Sequence, residues 1–276
     1  MSTGYSQPMK ISLIMGCEGI LGSEIVAAKL ASQDVYVVGF DQKNKSKIEN
    51  RNFSYISGSI QNTIDLEMLK QKIIEIQVKN KIENCLDSIV NVFAAQDYKF
   101  DAELVPKDLP ESEWMLWGWR NYPSQDFLRQ YEINVVGIHK ILTTLYECYK
   151  ESKSCSIVNF SSQFAHRNLN QEIFTHLGNF TFKPPAYAAS KSAIENYTQY
   201  LSQLFQGTGI RVNAVAPGIV NSGQNHEFTR RYAQQTITGR LMEPEEITGA
   251  IEFLTSESSS YMTGACLTLD GGWSIR

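Results

Sequence analysis

The feature that most constrains this chain is the alternation of short apolar runs with helix-length stretches. The runs "KISLIM", "VYVVGF", "SIVNVF", "SIVNFS", "IRVNAVAP" and "ACLTLD" begin at residues 10, 35, 88, 156, 210 and 265. Between them lie amphipathic stretches at 22 to 33, 63 to 80, 125 to 150, 187 to 206 and about 244 to 254. The runs are β-branched and do not alternate polar with apolar, the pattern of strands buried on both faces. Their alternation with helices implies an α/β, Rossmann-like, doubly wound parallel sheet with helices on both faces, and a seven-stranded sheet is expected, one strand more than the six runs named. With 276 residues, 42% of them hydrophobic, the chain is long enough to close one such domain over residues 10 to 276, behind a tail of residues 1 to 9.

Charge and cysteine usage narrow the partners. The formal net charge is −4 and no block of five like charges occurs, which argues against nucleic acid and against a polybasic membrane patch. No window reaches the ~18 apolar residues of a membrane span, and "MSTGYSQPMK" lacks the charged and apolar regions of a signal peptide. The five cysteines, at 17, 85, 148, 155 and 266, form no C-x-x-C pair and no metal-ligand spacing with the four histidines. The expectation is a cytoplasmic protein with reduced thiols, no metal and a small-molecule partner.

After the first run comes "GCEGILG". Gly16 suits a tight turn, Gly19 lets backbone approach a pyrophosphate, and Gly22 lets the following helix pack closely; Ile20 and Leu21 complete the binding segment. Glycine-rich turns occur in many α/β proteins, so the second run matters more. It leads into Asp41, 25 residues after Gly16, where a carboxylate accepts hydrogen bonds from a ribose diol and repels a 2′-phosphate. NAD(H) is thereby favoured, while Lys43 or Lys45 could neutralise a phosphate and keep NADP(H) open. Read alone, Asp41 could equally open a loop.

"PPAYAASKSAIENY" places Tyr187 and Lys191 four residues apart, on one helical face. A phenol with a pKa of about 10 works near neutrality only if a cation favours its anion, and Lys191 can supply one. The pair by itself also fits a solvated helix face.

From about Lys10 to Trp273 the chain resembles the short-chain dehydrogenase/reductase family. The segments that carry the resemblance are "GCEGILG", Asp41, "SIVNVFA", "YEINVVGIHK", "SIVNFSS", "YAASK", "IRVNAVAPGIVNS", "GRLMEPEEI" and "YMTGACLTLDGGW". It implies a catalytic group of Asn134, Ser162, Tyr187 and Lys191. Tyr187 would exchange a proton with the substrate oxygen, Ser162 would hold that oxygen, Lys191 would depress the tyrosine pKa and bind the nicotinamide ribose, and Asn134 would keep a relay water. Blander readings are that Ser162 caps the strand end and Asn134 bonds helix backbone. The resemblance also implies Asn91 and Ala94 beside the adenosine ribose, Ser59 and Ile60 toward adenine, and Pro217, Gly218, Ile219 and Ser222 around the nicotinamide. Ile219 would orient the carboxamide through its backbone.

The chain departs from the family pattern at several points. Met15 replaces a threonine, "NVFA" replaces "NNAG", Ser59 replaces an aspartate, and Gly19 stands one residue before the usual glycine, at Ile20. Ser162 and Tyr187 lie 25 residues apart, so residues 165 to 184 read as an insertion.

Three long connections, at about 96 to 124, 163 to 186 and 221 to 240, follow carboxyl ends of strands and are candidates for a substrate lid. They resemble those of dehydrogenases from bacterial surface-glycan and flagellin-modification clusters, which implies a sugar, sugar phosphate or nucleotide sugar. Trp114, Trp117 and Trp119 could stack on a sugar ring or pack in the loop, and Arg230 or Arg231 could pair with a phosphate. Two rival functions are reduction of a 3-oxoacyl thioester or other ketone, and a non-catalytic dinucleotide-binding sensor. The resemblance further implies a homodimer or homotetramer through the helices at 125 to 150 and 187 to 206.

Overall fold

Seven parallel strands, β1 (Lys10–Met15), β2 (Val35–Asp41), β3 (Phe53–Ser57), β4 (Ser88–Asn91), β5 (Cys155–Phe160), β6 (Ile210–Pro217) and β7 (Cys266–Leu269), form one sheet in the order β3-β2-β1-β4-β5-β6-β7. The structure is a computed structural model, and it describes residues 9–32, 34–82, 86–95, 104–167, 173 and 183–276. Strand order reverses between β1 and β4, and a crevice opens at their carboxyl ends, where open α/β sheets bind ligands. Six strands are the six apolar runs. The seventh, β3, is an edge strand, "FSYIS", of half-buried and exposed residues, so it lacks the dense apolar signature of the others.

The sheet's faces explain the core. On β1, Ile11, Leu13 and Met15 point into one cluster, with Leu66, Leu69 and Ile73 of α2 (Thr63–Asn80). Ile14 points the other way, against Val26 of α1 (Ile20–Ala31) and Ile251 and Leu254 of α9 (Ile247–Thr255). Each such side chain, fully buried, contributes about 1.5–3 kcal/mol.

The stretch at 125 to 150 is not one regular helix. It comprises α4 (Ser124–Tyr131), a π-helical turn over Glu132–Val136, α5 (Gly137–Thr144) and a final 3-10 turn, Tyr146–Cys148. Such π turns have no sequence period of their own and frequently mark functional positions. Helix α7 (Pro185–Leu204) starts with a proline in its first turn, where no amide hydrogen bond is lost. The long connections carry α3 (Trp114–Arg120), α6 (Gln163–His166) and α8 (His226–Ala233). Residues 1 to 8, Cys85, 96 to 103 and His176 lie outside the described residues. No described helix is long and apolar enough to cross a membrane.

Candidate active site

At the strand carboxyl ends lies a cleft of about 690 Å³. Of the residues singled out by sequence, Gly16, Gly19, Ile20, Leu21, Gly22, Asp41, Ser59, Ile60, Ala94, Ser162, Tyr187, Lys191, Pro217, Gly218, Ile219 and Ser222 all line it. Asn91 and Asn134 do not.

The glycine turn is shaped by close approach. Gly16 has φ +88°, a left-handed conformation that favours glycine, and a Cβ on Gly22 would lie 2.1 Å from the Gly16 carbonyl oxygen. Gly19 begins α1 without any side-chain cap, and the first turn holds no acidic residue. The first-turn amides are thus left for another acceptor, and this cradle fits a pyrophosphate. At the end of β2, the Asp41 carboxylate accepts from the amides of Glu18 at 3.0 Å and Lys43 at 3.2 Å. The Lys43 ammonium turns back onto the Glu18 carbonyl at 2.5 Å.

Two asparagines are anchors behind the cleft. Asn91, 1% exposed, donates to Asn159 at 2.9 Å, and Asn159 donates to Thr198 at 2.9 Å. It therefore belongs to a buried hydrogen-bond ladder across β4, β5 and α7. Asn134, on the π turn, accepts from the Ala95 amide at 2.7 Å and donates to the Ala95 carbonyl and the Ser190 hydroxyl, both at 2.9 Å. Both of its N–H groups are committed, so a relay water could meet only the remaining lone pair of Oδ1.

Ser162 caps α6, its hydroxyl accepting from the Phe164 amide at 3.3 Å, and it lines the cleft with Tyr187. Phe164 meets the Tyr187 ring edge-on at 6.4 Å between centroids. Lys191 Nζ donates to the Phe160 carbonyl at 2.6 Å and lies 5.7 Å from the centre of the Tyr187 ring. Burial, followed by the charge of Lys183, pushes the Lys191 pKa down to about 7. Burial also raises the Tyr187 phenol above its ordinary value, against a smaller lowering by Ser162. Desolvation is therefore the larger of the two effects on the phenol.

Sequence reasoning missed three cleft features. Lys183 lies over the Tyr187 ring at 4.2 Å and lines the cleft. Gln163 Oε1 accepts from the Tyr232 hydroxyl at 2.6 Å, while its buried Nε2 has no partner among the described residues. Tyr232 in turn accepts from the Ile219 amide at 3.0 Å, and the Ile219 carbonyl accepts from the Met242 amide at 3.0 Å. Both backbone groups expected to orient a carboxamide are thus engaged within the chain. The spacing of Lys183, four residues before Tyr187 in "KPPAY", was a readable signal.

None of Trp114, Trp117 and Trp119 lines the cleft; Trp114 donates to the Leu109 carbonyl at 3.2 Å, and Trp119 is 62% exposed. Arg230 and Arg231 both hold Glu227 at 2.7 Å on α8, and neither lines the cleft. Their hydrogen bonds lower the Glu227 pKa to about 2. Finally, His166, Glu195 and Cys266 converge within 4.8 Å of one another, although their sequence spacing gave no sign of a metal-ligand group.

A doubly wound parallel sheet with a glycine cradle and a Ser–Tyr–Lys group at one crevice defines a dinucleotide-dependent oxidoreductase fold. The family described as Enoyl-(Acyl carrier protein) reductase matches residues 118–274. The chain belongs to the short-chain dehydrogenase/reductase family. It is similar to a short chain dehydrogenase from Leptospira borgpetersenii with bound NAD+, at 25% identity and TM-score 0.79, covering 100% of this chain and 97% of that one. Cyclohexanol dehydrogenase of Rhodococcus sp. is 32% identical over 51% of this chain and 52% of its own. Galactitol 2-dehydrogenase (L-tagatose-forming) of Cereibacter sphaeroides is 40% identical over 33% of this chain and 38% of its own. The chain spans about half the length, or less, of these two curated relatives.

Proposed function

We propose that the chain is an NAD(H)-dependent oxidoreductase that interconverts a secondary alcohol and a ketone. The observation that carries this reading is that Tyr187, Ser162 and Lys191 line the same cleft as the glycine cradle, with Lys191 Nζ 5.7 Å from the centre of the Tyr187 ring. Gly16, Gly19, Ile20, Leu21 and Gly22 would hold the pyrophosphate, Asp41 and Ala94 the adenosine ribose, Ser59 and Ile60 the adenine side, and Pro217, Gly218, Ile219, Ser222 and Lys191 the nicotinamide end. When bound, the dinucleotide supplies the hydride acceptor or donor. Ser162 donates a hydrogen bond to the substrate oxygen, while Tyr187 takes the alcohol proton as the carbinol carbon is oxidised and returns it in reduction. Asn134 acts as a positioning residue, fixing Ala95 and the helix that carries Tyr187.

The substrate we favour is an oxygen-rich secondary alcohol such as a sugar or sugar phosphate. Lys183 and Gln163 Nε2, which has no partner among the described residues, give the wall a cation and a donor, and two similar proteins are named for cyclohexanol and galactitol. An acyl-carrier substrate would call for a basic rim, yet Arg230 and Arg231 are tied to Glu227. The test is reduction of NAD+ and NADP+ by the purified protein across cyclic alcohols, polyols and sugars. NADH binding without turnover on any of them would overturn the proposal in favour of a dinucleotide sensor.

Cofactor preference rests on Asp41. Replacement by Ser is expected to shift the ratio of kcat/KM for NADP+ over NAD+ upward by about 10- to 100-fold, the worth of a charge-assisted hydrogen bond of roughly 1.5–3 kcal/mol. An unchanged ratio would remove Asp41 from cofactor choice.

Tyr232 competes for the Ile219 amide in this reading. Tyr232→Phe is expected to tighten NADH binding by about 2- to 10-fold, since a net hydrogen bond is worth roughly 0.5–1.5 kcal/mol. Fluorescence titration checks this, and equal or weaker binding would contradict the role given to Ile219. We further propose a cytoplasmic homodimer or homotetramer; exposed Leu128, Tyr200 and Leu204 on the adjoining α4 and α7 offer apolar surface for the contact.

A further inference from the structure

We propose that His166, Glu195 and Cys266 form a binding site for a divalent transition metal, best matched to Zn²⁺, outside the dinucleotide cleft. The three side chains come from the end of α6, the middle of α7 and the start of β7, and none of them lines the cleft. His166 Nε2 lies 3.2 Å from Glu195 Oε1, Cys266 Sγ lies 3.5 Å from the same oxygen, and Sγ lies 3.7 Å from Nε2. Tetrahedral zinc, with Zn–S of about 2.3 Å and Zn–N and Zn–O of about 2.0–2.2 Å, sets its ligand atoms about 3.4–3.6 Å apart. The triangle therefore has the dimensions of one face of a zinc tetrahedron.

Hydrogen bonding alone leaves the cluster badly matched. Ser161 Oγ and Cys266 Sγ both donate to the single oxygen Oε1 of Glu195, and His166 Nε2 is crowded against that same oxygen and against Cys266 Sγ. A cation at the centre would replace two of these contacts with coordinate bonds from the imidazole and the thiolate, the Cys266 proton leaving to solvent. Sulfur, imidazole nitrogen and carboxylate oxygen together are a donor set that zinc accepts and that magnesium and calcium do not. The side chains of His166 and Glu195 keep 31% and 17% exposure, which leaves an approach from water and room for a water as fourth ligand. Bound metal would clamp the segment beside Ser162, the helix of Tyr187 and the last strand to one another.

The full chain, stripped with a chelator and dialysed, would be titrated with Zn²⁺ by calorimetry and with Co²⁺ by absorption. Expected are one equivalent bound per chain, proton release, a raised unfolding midpoint and a thiolate-to-cobalt charge-transfer band. Cys266→Ser should abolish the band and weaken Zn²⁺ binding at least ~10- to 100-fold, as should His166→Ala. Should Cys266→Ser fail to fold by circular dichroism, Glu195→Gln, which keeps the side-chain shape, carries the same affinity comparison. Substoichiometric binding, or zinc affinity unchanged in these variants, would overturn the site and leave a hydrogen-bonded cluster. Neither outcome depends on dehydrogenase turnover.

Discussion

Tyr187→Phe is expected to lower dinucleotide-dependent turnover by roughly 10²- to 10⁴-fold, the range for removing a positioned general acid–base group. The change deletes one oxygen and little else. The phenyl ring keeps its edge-on contact with Phe164 and remains beneath the cations of Lys183 and Lys191. What is lost is the phenol oxygen and its interaction with Ser162. The unfolding midpoint and the NADH dissociation constant should therefore stay close to those of the parent protein. Following NADH absorbance for kcat/KM, alongside fluorescence for binding, separates these effects. Equal turnover in the two proteins would take Tyr187 out of the mechanism.

Lys191→Met carries the second large effect, and it combines a kinetic change with a thermodynamic one. Turnover should fall by about 10²-fold or more, because the variant cannot place positive charge beside the phenol or hold the ribose. The thermodynamic signature follows from burial. Lys191 titrates near 7 in the folded chain, against 10.5 for an ordinary lysine, chiefly because desolvation disfavours its ammonium form. Between about pH 7 and 10 the unfolded chain accordingly holds the extra proton, and stability rises with pH through that window. Below about pH 7 both states are protonated and the destabilisation is constant. The stability of the parent protein relative to Lys191→Met should thus climb between pH 7 and 10, by at most about 1.4 kcal/mol per pH unit. Urea unfolding at a series of pH values measures it. A flat difference would mean that Lys191 keeps its charge in the folded state.

How far the sequence foretold this molecule depends on whether a signal is local. Strands buried on both faces announce themselves in runs such as "IRVNAVAP", whereas β3 at the sheet edge buries little and was not picked out. The glycine turn and the Tyr187–Lys191 pair are short-range patterns, and the residues of both line one cleft. The π turn at Asn134 was hidden, since a shift of backbone hydrogen bonding leaves no mark on an apolar period. Asn91 was named through the family resemblance alone, and its hydrogen bond to Asn159 in the neighbouring strand is a tertiary contact that no local pattern announces. Lys183 was legible only as a spacing, four residues before Tyr187 across two prolines, and its place over the ring came with the fold. His166, Glu195 and Cys266 lie 29 and 71 residues apart, so tertiary folding alone brings them together.

The doubly engaged backbone of Ile219 has a temporal consequence under the proposed nicotinamide contact. Tyr232 must release its amide, and Met242 its carbonyl, before a carboxamide can take either. Only the released fraction accepts the ring, so the apparent affinity is the intrinsic one multiplied by that fraction. In a stopped-flow experiment the observed rate of NADH association should then level off at high NADH instead of rising linearly. The plateau would report the rate at which α8 lets go, and Tyr232→Phe should lift it. A segment that reads as a passive wall of the cleft would in that case act as the clock of each encounter.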